Sequence, residues 1–592
     1  MQQKKSARIF LLTILVITGS VGVVYVVLAL LPYGWIKSAL DMLARDGTLD
    51  IYTYPLHQRV IPILAILGLT LLVLAGFIYR NSQQIQDYVG NITQMSLTAT
   101  LHRDIRVIHA SLLSLSQDKV FLYTLALVTL LGAVIRGLYL SQPMQHDEAY
   151  TYTAFASRPL RYIITDYHLP NNHVFHTILV FVSTRLLGNL PWTVRLPAYL
   201  AGVLMIPACY LVGRLHYDKN IALAAAALVS VSPVLIDYSA NARGYTLLSL
   251  ITLSFIALAT YVKTHRNLIA WSLMTILACL GFYTLPIMLY PFGMVFIWLL
   301  ISALIRDIAP EYKKRFLYYL LISSTIVLIL TLILYAPIFY VSGIRAVIGN
   351  PYVQSLEYSG LLDGLISRAA RVSDQWLAGL PIYWGVLALV GILLGLILHR
   401  RISPHRLPLQ LAALLGIGLM LILQRVAPLA RIWLFLLPLA ILWASAGIIG
   451  GVRLLLPTSF HRQATTVLLV GTILLSGIRL ASSVSIVSDR SLSIEEEIAI
   501  FMQDYLHPGD LVVVQSPIAT TLEYYFKRYG LSEKAFDEHR PGIQRFLVVV
   551  SSKYKQTLDE VLEKKGPPNY NQMHSLKIIH RYKHATIYEL SP

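Results

Sequence analysis

Apolar runs about twenty residues long recur from the N-terminus to residue 480, separated by short polar stretches. At about 1.5 Å rise per residue, roughly 20 helical residues cover the ~30 Å of a bilayer's hydrocarbon. The pattern therefore predicts spanning helices at about 9–31, 60–79, 120–140, 193–213, 221–240, 244–262, 268–284, 286–305, 316–337, 382–398, 408–424, 430–450 and 464–480. One further apolar run, VFHTILVFVSTRLL at 174–187, is too short to cross and is interrupted by His176 and Arg185. It reads as a helix lying on the membrane surface. The stretch 82–118 places Ile85, Tyr88, Ile92, Met95, Ala99, Ile105, Ile108, Leu112 and Leu115 at helical spacing, which suits an amphipathic helix packed on the inner loops or on a partner.

After Leu480 the rhythm changes. Helical patterns at 494–506, 517–529 and 555–565 alternate with β-branched runs at 510–515 (DLVVVQ) and 545–550 (RFLVVV), and 576–590 reads as paired strands or one bent strand. That alternation predicts a small α/β domain. The Glu495-Glu496-Glu497 run reads as the solvated N-terminal face of a helix. The expected organisation is a two-span extension at 1–119, a core at 120–480 and the α/β domain at 481–592.

Composition agrees with a polytopic α-helical membrane protein: 56% of residues are hydrophobic and 13% charged, mean hydropathy is +0.63, and soluble chains average about 25% charged. The net charge of +18 tempts one toward nucleic acid, but the tail from 481 is nearly neutral and has no arginine-rich stripe. The excess lies in short connections such as 214–220, 263–267, 306–315 and 399–407. Basic short loops mark the cytoplasmic side, which sets the N-terminus inside and 141–192, 338–381 and the tail outside. The expected location is the cytoplasmic (plasma) membrane. The Asn91-Ile92-Thr93 sequon falls on the inner side in this map. Cys209 and Cys279 lie within apolar runs and read as small hydrophobes. No small-x-small cleavage site follows the first run.

The chemistry gathers on the outer side. SQPMQHDEAY at 141–150 sets Asp147 and Glu148 beside His146 just beyond a span. Adjacent side chains on a helix do not share a face, so the two acids are expected to differ in role. A carboxylate where water is partly excluded makes a general base, and its neighbour can orient substrate or hold a cation. Outer-side polar groups also include His168 and His173 in YHLPNNHVFH, Arg195 in VRLPAY, Asp237, Asn241, Arg243 and Tyr245 in DYSANARGY, and Arg425 and Arg431 in QRVAPLAR. Charges at membrane depth are costly without a partner or a wet cavity. Arginine offers a rigid fork for phosphate oxygens. The set suits an anionic ligand: a lipid phosphate whose sugar is displaced by a hydroxyl, with Asp147 as base and inversion at the anomeric carbon. The chain has no G-x-x-x-x-G-K-[ST] loop, so ATP-driven pumping lacks support.

Five strings together, HDEAY at 146–150, NNHVFHTILVFVSTRLLGN at 171–189, WTVRLPAYLAG at 192–202, SPVLIDYSANARGY at 232–245 and RVAPLARIW at 425–433, resemble the integral-membrane glycosyltransferases of the GT-C fold. The closest resemblance is to the bacterial protein mannosyltransferase-like, aminoarabinose transferase-like and RgtA/B/C/D-like enzymes. It spans roughly 120–480. It implies Asp147 as the catalytic aspartate with Glu148 as companion, and places the family's histidine on His173, its Arg-x-Pro on Arg195 and Pro197, its Arg-x-Tyr on Arg243 and Tyr245, and its late arginine on Arg431. It implies a polyprenyl-phosphate-sugar donor used on the external face. Val174 stands where proline is frequent and Ile432 where tyrosine is usual, and the extension at 1–119 lies outside the shared core.

A divalent ion on Asp147, Glu148 and His146 is a further expectation, since metal use varies in the class. Donor-phosphate or sugar contacts are expected from Arg195, Arg243, Tyr245, Arg425 and Arg431, with His146, His168, His173, Asp237 and Asn241 supporting. Partners are then the lipid-linked donor, a glycan, glycolipid or protein acceptor, and membrane lipid. A transporter or flippase of a lipid-linked sugar, or a non-enzymatic assembly or sensing protein, are the alternatives. Inverted or parallel repeats of the transporter kind are not evident in the sequence.

Overall fold

The computed structural model describes residues 2–41, 52–80, 82, 97–349, 356–377, 380–455, 471, 493–566 and 575–591. The expected span at 464–480, the sequon at 91–93 and part of the 338–381 connection lie outside the described residues. Among the described residues seven helices are long and apolar enough to cross a bilayer, or nine if each of two bent pairs is one span. Shorter apolar helices, Leu268–Thr284, Ile382–Ile397 and Leu409–Gln424, complete the correspondence with the other twelve expected spans. The chain is a multi-pass membrane protein.

Small residues let one helix pair of the bundle approach closely. Helices Ile382–Ile397 and Leu437–Leu455 touch backbone to backbone, and a Cβ on Gly447 would fall 1.8 Å from the Gly391 carbonyl oxygen. Close approach through glycine is how helices gain contact where lipid gives no hydrophobic drive. Two helix starts are fixed by side chains: Asp218 accepts from the Asn220 and Ile221 amides to start Lys219–Val231, and Asn267 accepts from Ala270 to start Leu268–Thr284. The surface run is a helix with the expected bounds, Val174–Leu187. Of the 82–118 stretch, Leu97–Ser116 is helical; its buried Asp104 accepts from the Leu268 amide at 2.7 Å and so anchors it on the bundle.

The tail forms a four-stranded sheet of order β1-β2-β4-β3, with β1 Asp510–Val514, β2 Arg545–Ser551, β3 Ser575–Arg581 and β4 Ala585–Ser591. β1 and β2 run parallel, with Val512 opposite Leu547, and the other pairings are antiparallel. The 576–590 stretch is therefore paired strands. Because β1 and β2 are buried on both faces, they read as continuous valine and leucine runs. One face of the sheet packs on Leu558–Lys565. The other packs on Ile494–Tyr505 and Ile518–Arg528, and that core runs on without a break into Met144, Ala149, Tyr152, Val180, Val194 and Ala242 of the bundle. The tail is thus seated on the segment that carries HDEAY.

Candidate active site

HDEAY is a single helical turn, His146–Tyr150. A rotation of about 100° per residue sends its two acids apart. The Glu148 side chain is fully buried, whereas that of Asp147 is 43% exposed. Glu148 Oε1 accepts from the Gln145 amide at 2.8 Å, closing the turn on itself, and Oε2 accepts from the Ala242 amide at 3.1 Å. Arg195 supplies the remaining bonds, Nε to Oε2 at 2.9 Å and Nη2 to Oε1. Its other N–H groups go to the carbonyls of Leu140, Gln142 and Pro143 at 2.9, 2.6 and 2.9 Å. A guanidinium has five N–H donors and a carboxylate about four acceptor positions. All are used. Arg195 and Glu148 form a closed lock between the 140–148 loop, the helix Pro191–His216 and the 239–244 turn, and neither has capacity left for a ligand.

Asp147 faces the other way. Its Oδ2 pairs with Nη1 of Arg243 and lies 3.7 Å from Nη1 of Arg431. Arg243 is nearly buried, and its Nε has no partner among the described residues. Its guanidinium carbon lies 5.3 Å from the centre of the Tyr245 ring. The 239–244 turn is held by His173, whose Nδ1 accepts from the Gly244 amide at 2.7 Å. That bond assigns the proton to Nε2, which is buried and unpartnered beside the T-shaped Tyr245 ring. Burial first, then His176 and Arg431, hold His173 well below the ordinary histidine value. Burial pushes His176, likewise without a partner on either ring nitrogen, down to about 3.

The Asn-Asn-His string resolves residue by residue. Asn171 Nδ2 donates to the Asp147 carbonyl at 2.9 Å, Asn172 Nδ2 donates to the Ile163 and Asp166 carbonyls at 2.8 Å each, and His173 holds the turn. His168 sits in a separate chain: it accepts from the Tyr150 hydroxyl at 2.6 Å and meets Asp166 Oδ1 through Nδ1 at 2.6 Å. Burial raises Tyr150 to about 12. Asn241 reaches the Gln145 side chain at 3.3 Å, Asp237 is exposed on the helix Pro233–Ser239, and Arg425 caps Leu409–Gln424 in left-handed conformation, its carbonyl accepting from Leu356 at 2.7 Å.

Sequence reasoning did not single out the groups that steady the turn from the tail. The Tyr525 hydroxyl accepts from the Met144 amide at 3.2 Å, His146 Nδ1 donates to the Pro517 carbonyl at 3.1 Å, and Tyr524 donates to the Asn189 carbonyl at 2.7 Å. The strand-helix alternation at 510–529 was the available signal, and it speaks of a domain rather than of its docking. These bonds also bear on a divalent ion. Glu148 is saturated, His146 is turned to Pro517 and Asp147 is held by cations, so the three do not fit a metal centre. No group of three or more His, Cys, Asp or Glu placed to hold an ion occurs among the described residues.

Residues 174–335 match the family model described as dolichyl-phosphate-mannose-protein mannosyltransferase. No curated protein matches the sequence significantly. ArnT from Cupriavidus metallidurans in the apo state shares the fold, with a TM-score of 0.50 at 13% identity over 78% of this chain and 98% of that one. The same protein bound to undecaprenyl phosphate gives 0.49 at 14% identity over 79% and 97%. AglB, the archaeal oligosaccharyltransferase of Archaeoglobus fulgidus, in complex with an inhibitory peptide and a dolichol-phosphate, gives 0.46 at 13% identity over 74% and 71%. The chain thus has the fold of ArnT over most of its length, and its segment 174–335 is similar to the mannosyltransferase family. The matched segment runs from the helix Val174–Leu187 through Arg195, Arg243 and Tyr245 to residue 335.

Proposed function

We propose that the protein transfers a sugar from a polyprenyl-phosphate donor to a hydroxyl of a glycan, glycolipid or protein acceptor, with inversion, on the external face of the membrane. The observation that carries this reading is the division of labour between adjacent acids: Glu148 is locked, and Asp147 is open and paired with two arginines. The donor phosphate takes over Arg243 and Arg431, which neutralise charge as it develops on the leaving group. That exchange frees the Asp147 carboxylate to accept the proton of the incoming hydroxyl. The buried, unpartnered Arg243 Nε and His173 Nε2 support an anionic occupant on the same side, because buried donors without partners are uncommon. Arg195 acts by holding the 140–148 loop rather than by touching phosphate. No step here uses a metal. In this reading the core is 120–480, 1–119 is an addition and the external tail domain shapes access of the acceptor.

Purified protein assayed in detergent with a panel of polyprenyl-phosphate sugars, products read by mass, tests the reading. Transfer needs no second compartment, so product formation separates a transferase from a flippase. Asp147→Asn is expected to abolish transfer in a folded protein. Full activity of that variant would remove Asp147 as the base.

A further inference from the structure

Arg136 lies in the apolar helix Lys119–Leu138 and is completely buried. Among the described residues no carboxylate lies within ion-pair distance of it. Its partners are instead the carbonyl oxygens of Gly132 at 3.1 Å, Ser230 at 2.8 Å and Val229 at 3.0 Å, and Ser239 Oγ at 3.2 Å. Two of these follow from Pro233. In an unbroken helix the Val229 carbonyl would accept from the amide of residue 233, and proline has none. The Ser230 carbonyl is the next one left over where the helix Lys219–Val231 stops. The chain there bends by 61° into Pro233–Ser239. A cation at the C-terminal end of a helix also meets the negative end of its dipole.

The bend aims Pro233–Ser239 and the turn after it. That turn delivers the Ala242 amide to Glu148 and the Arg243 guanidinium to Asp147. The Arg136 pocket is fitted closely: a Cβ on Gly202 would fall 2.0 Å from Ser239 Oγ and 3.3 Å from Arg136 Nε, and one on Gly132 would fall 2.5 Å from Ile206 Cδ1. Charges at such depth are costly and mark function.

We propose that Arg136 is a positioning residue for the reaction. By taking the carbonyls orphaned at Pro233 and the Ser239 hydroxyl on the far arm, it holds the broken span at the angle that sets Arg243 over Asp147. The proposal concerns the angle of the break, and it rests on the transferase reading only for its kinetic consequence.

Two measurements test it. Spin labels at Asn220 and Asp237, one on each arm, should give a single narrow distance distribution in the wild-type chain, with Cys209 and Cys279 buried. The distribution should broaden or shift in Arg136→Met; an unchanged narrow distribution overturns the proposal, whether or not any sugar is transferred. Kinetically, Arg136→Met should lower kcat at least tenfold and raise the donor KM, in protein that remains monodisperse. Pro233→Ala restores the missing amide, so Arg136→Met/Pro233→Ala should regain thermal stability but not kcat. Recovery of both in the double variant would show that Arg136 only satisfies carbonyls, and would sink the positioning role. A wild-type chain inactive with every donor tried would count against the transferase reading and leave the distance measurement to decide on Arg136.

Discussion

Replacing Glu148 by glutamine separates the two acids by physics rather than by activity alone. The substitution keeps shape and removes the charge that balances Arg195, whose side chain is 1% exposed. Removing one partner of a buried ion pair strands the other and costs about 3–5 kcal/mol. Asp147→Asn changes a side chain 43% exposed but leaves Arg243, 7% exposed, without its carboxylate, so its cost should lie between the ~1 kcal/mol of an exposed pair and that of Glu148→Gln. Thermal unfolding of the two purified variants in one detergent, with size-exclusion profiles, measures the difference. Asp147→Asn should lose less stability than Glu148→Gln and be inactive; Glu148→Gln should unfold at the lower temperature of the two. Replacing both Glu148 and Arg195 by methionine should recover much of that loss. A deficit of about 1–3 kcal/mol should persist because the carbonyls of Leu140, Gln142 and Pro143 lose their donors. Equal stability of the two single variants would refute the lock.

His173 and His176 are held neutral in the fold but take up protons in the unfolded chain below about pH 6.5. Their stabilising contribution is therefore complete above that value and shrinks as pH falls, by up to about 1.4 kcal/mol per pH unit for each; unfolding temperature should drop between pH 7 and 5, less steeply in His176→Leu. Arg243→Lys and Arg431→Ala should raise donor KM, with Arg243→Lys the more damaging because the buried fork cannot be replaced by a point charge; unchanged KM and rate in steady-state assays would count against phosphate contact. Tyr525→Phe removes the hydroxyl that accepts from Met144 and should cost about 1 kcal/mol while lowering kcat, read by unfolding and turnover on the same sample.

Much of the fold was legible because bilayer length and apolar runs constrain each other. The helix Val174–Leu187 and strands β1 and β2 fall where periodicity puts them, within a residue or two, and 576–590 takes the paired-strand form of its two readings. Continuous hydropathy predicts one span at 221–240 and is silent on its bend; Pro233 is the one local sign of the break, and its angle is set by Arg136 from another helix. At the site, the divergence of Asp147 and Glu148 follows from helical geometry and was foreseeable. Which acid would be locked was not, since that depends on Arg195 arriving from a helix some fifty residues later and on Ala242 from a further turn. Arg195 resembled a phosphate ligand because sequence shows a cation near the surface but not what saturates it.

The core shared between the tail and HDEAY has a consequence for how the protein comes into being. Ribosomes deliver the chain from one end, so every helix of the bundle is made before residues 493–566 emerge. Until Tyr525 and Pro517 arrive, the loop bearing Asp147 is held by Arg195 and Asn171 but lacks its bonds to the tail. The newborn bundle therefore carries Asp147 on a turn held from one side, and the second set of bonds forms only when the tail docks.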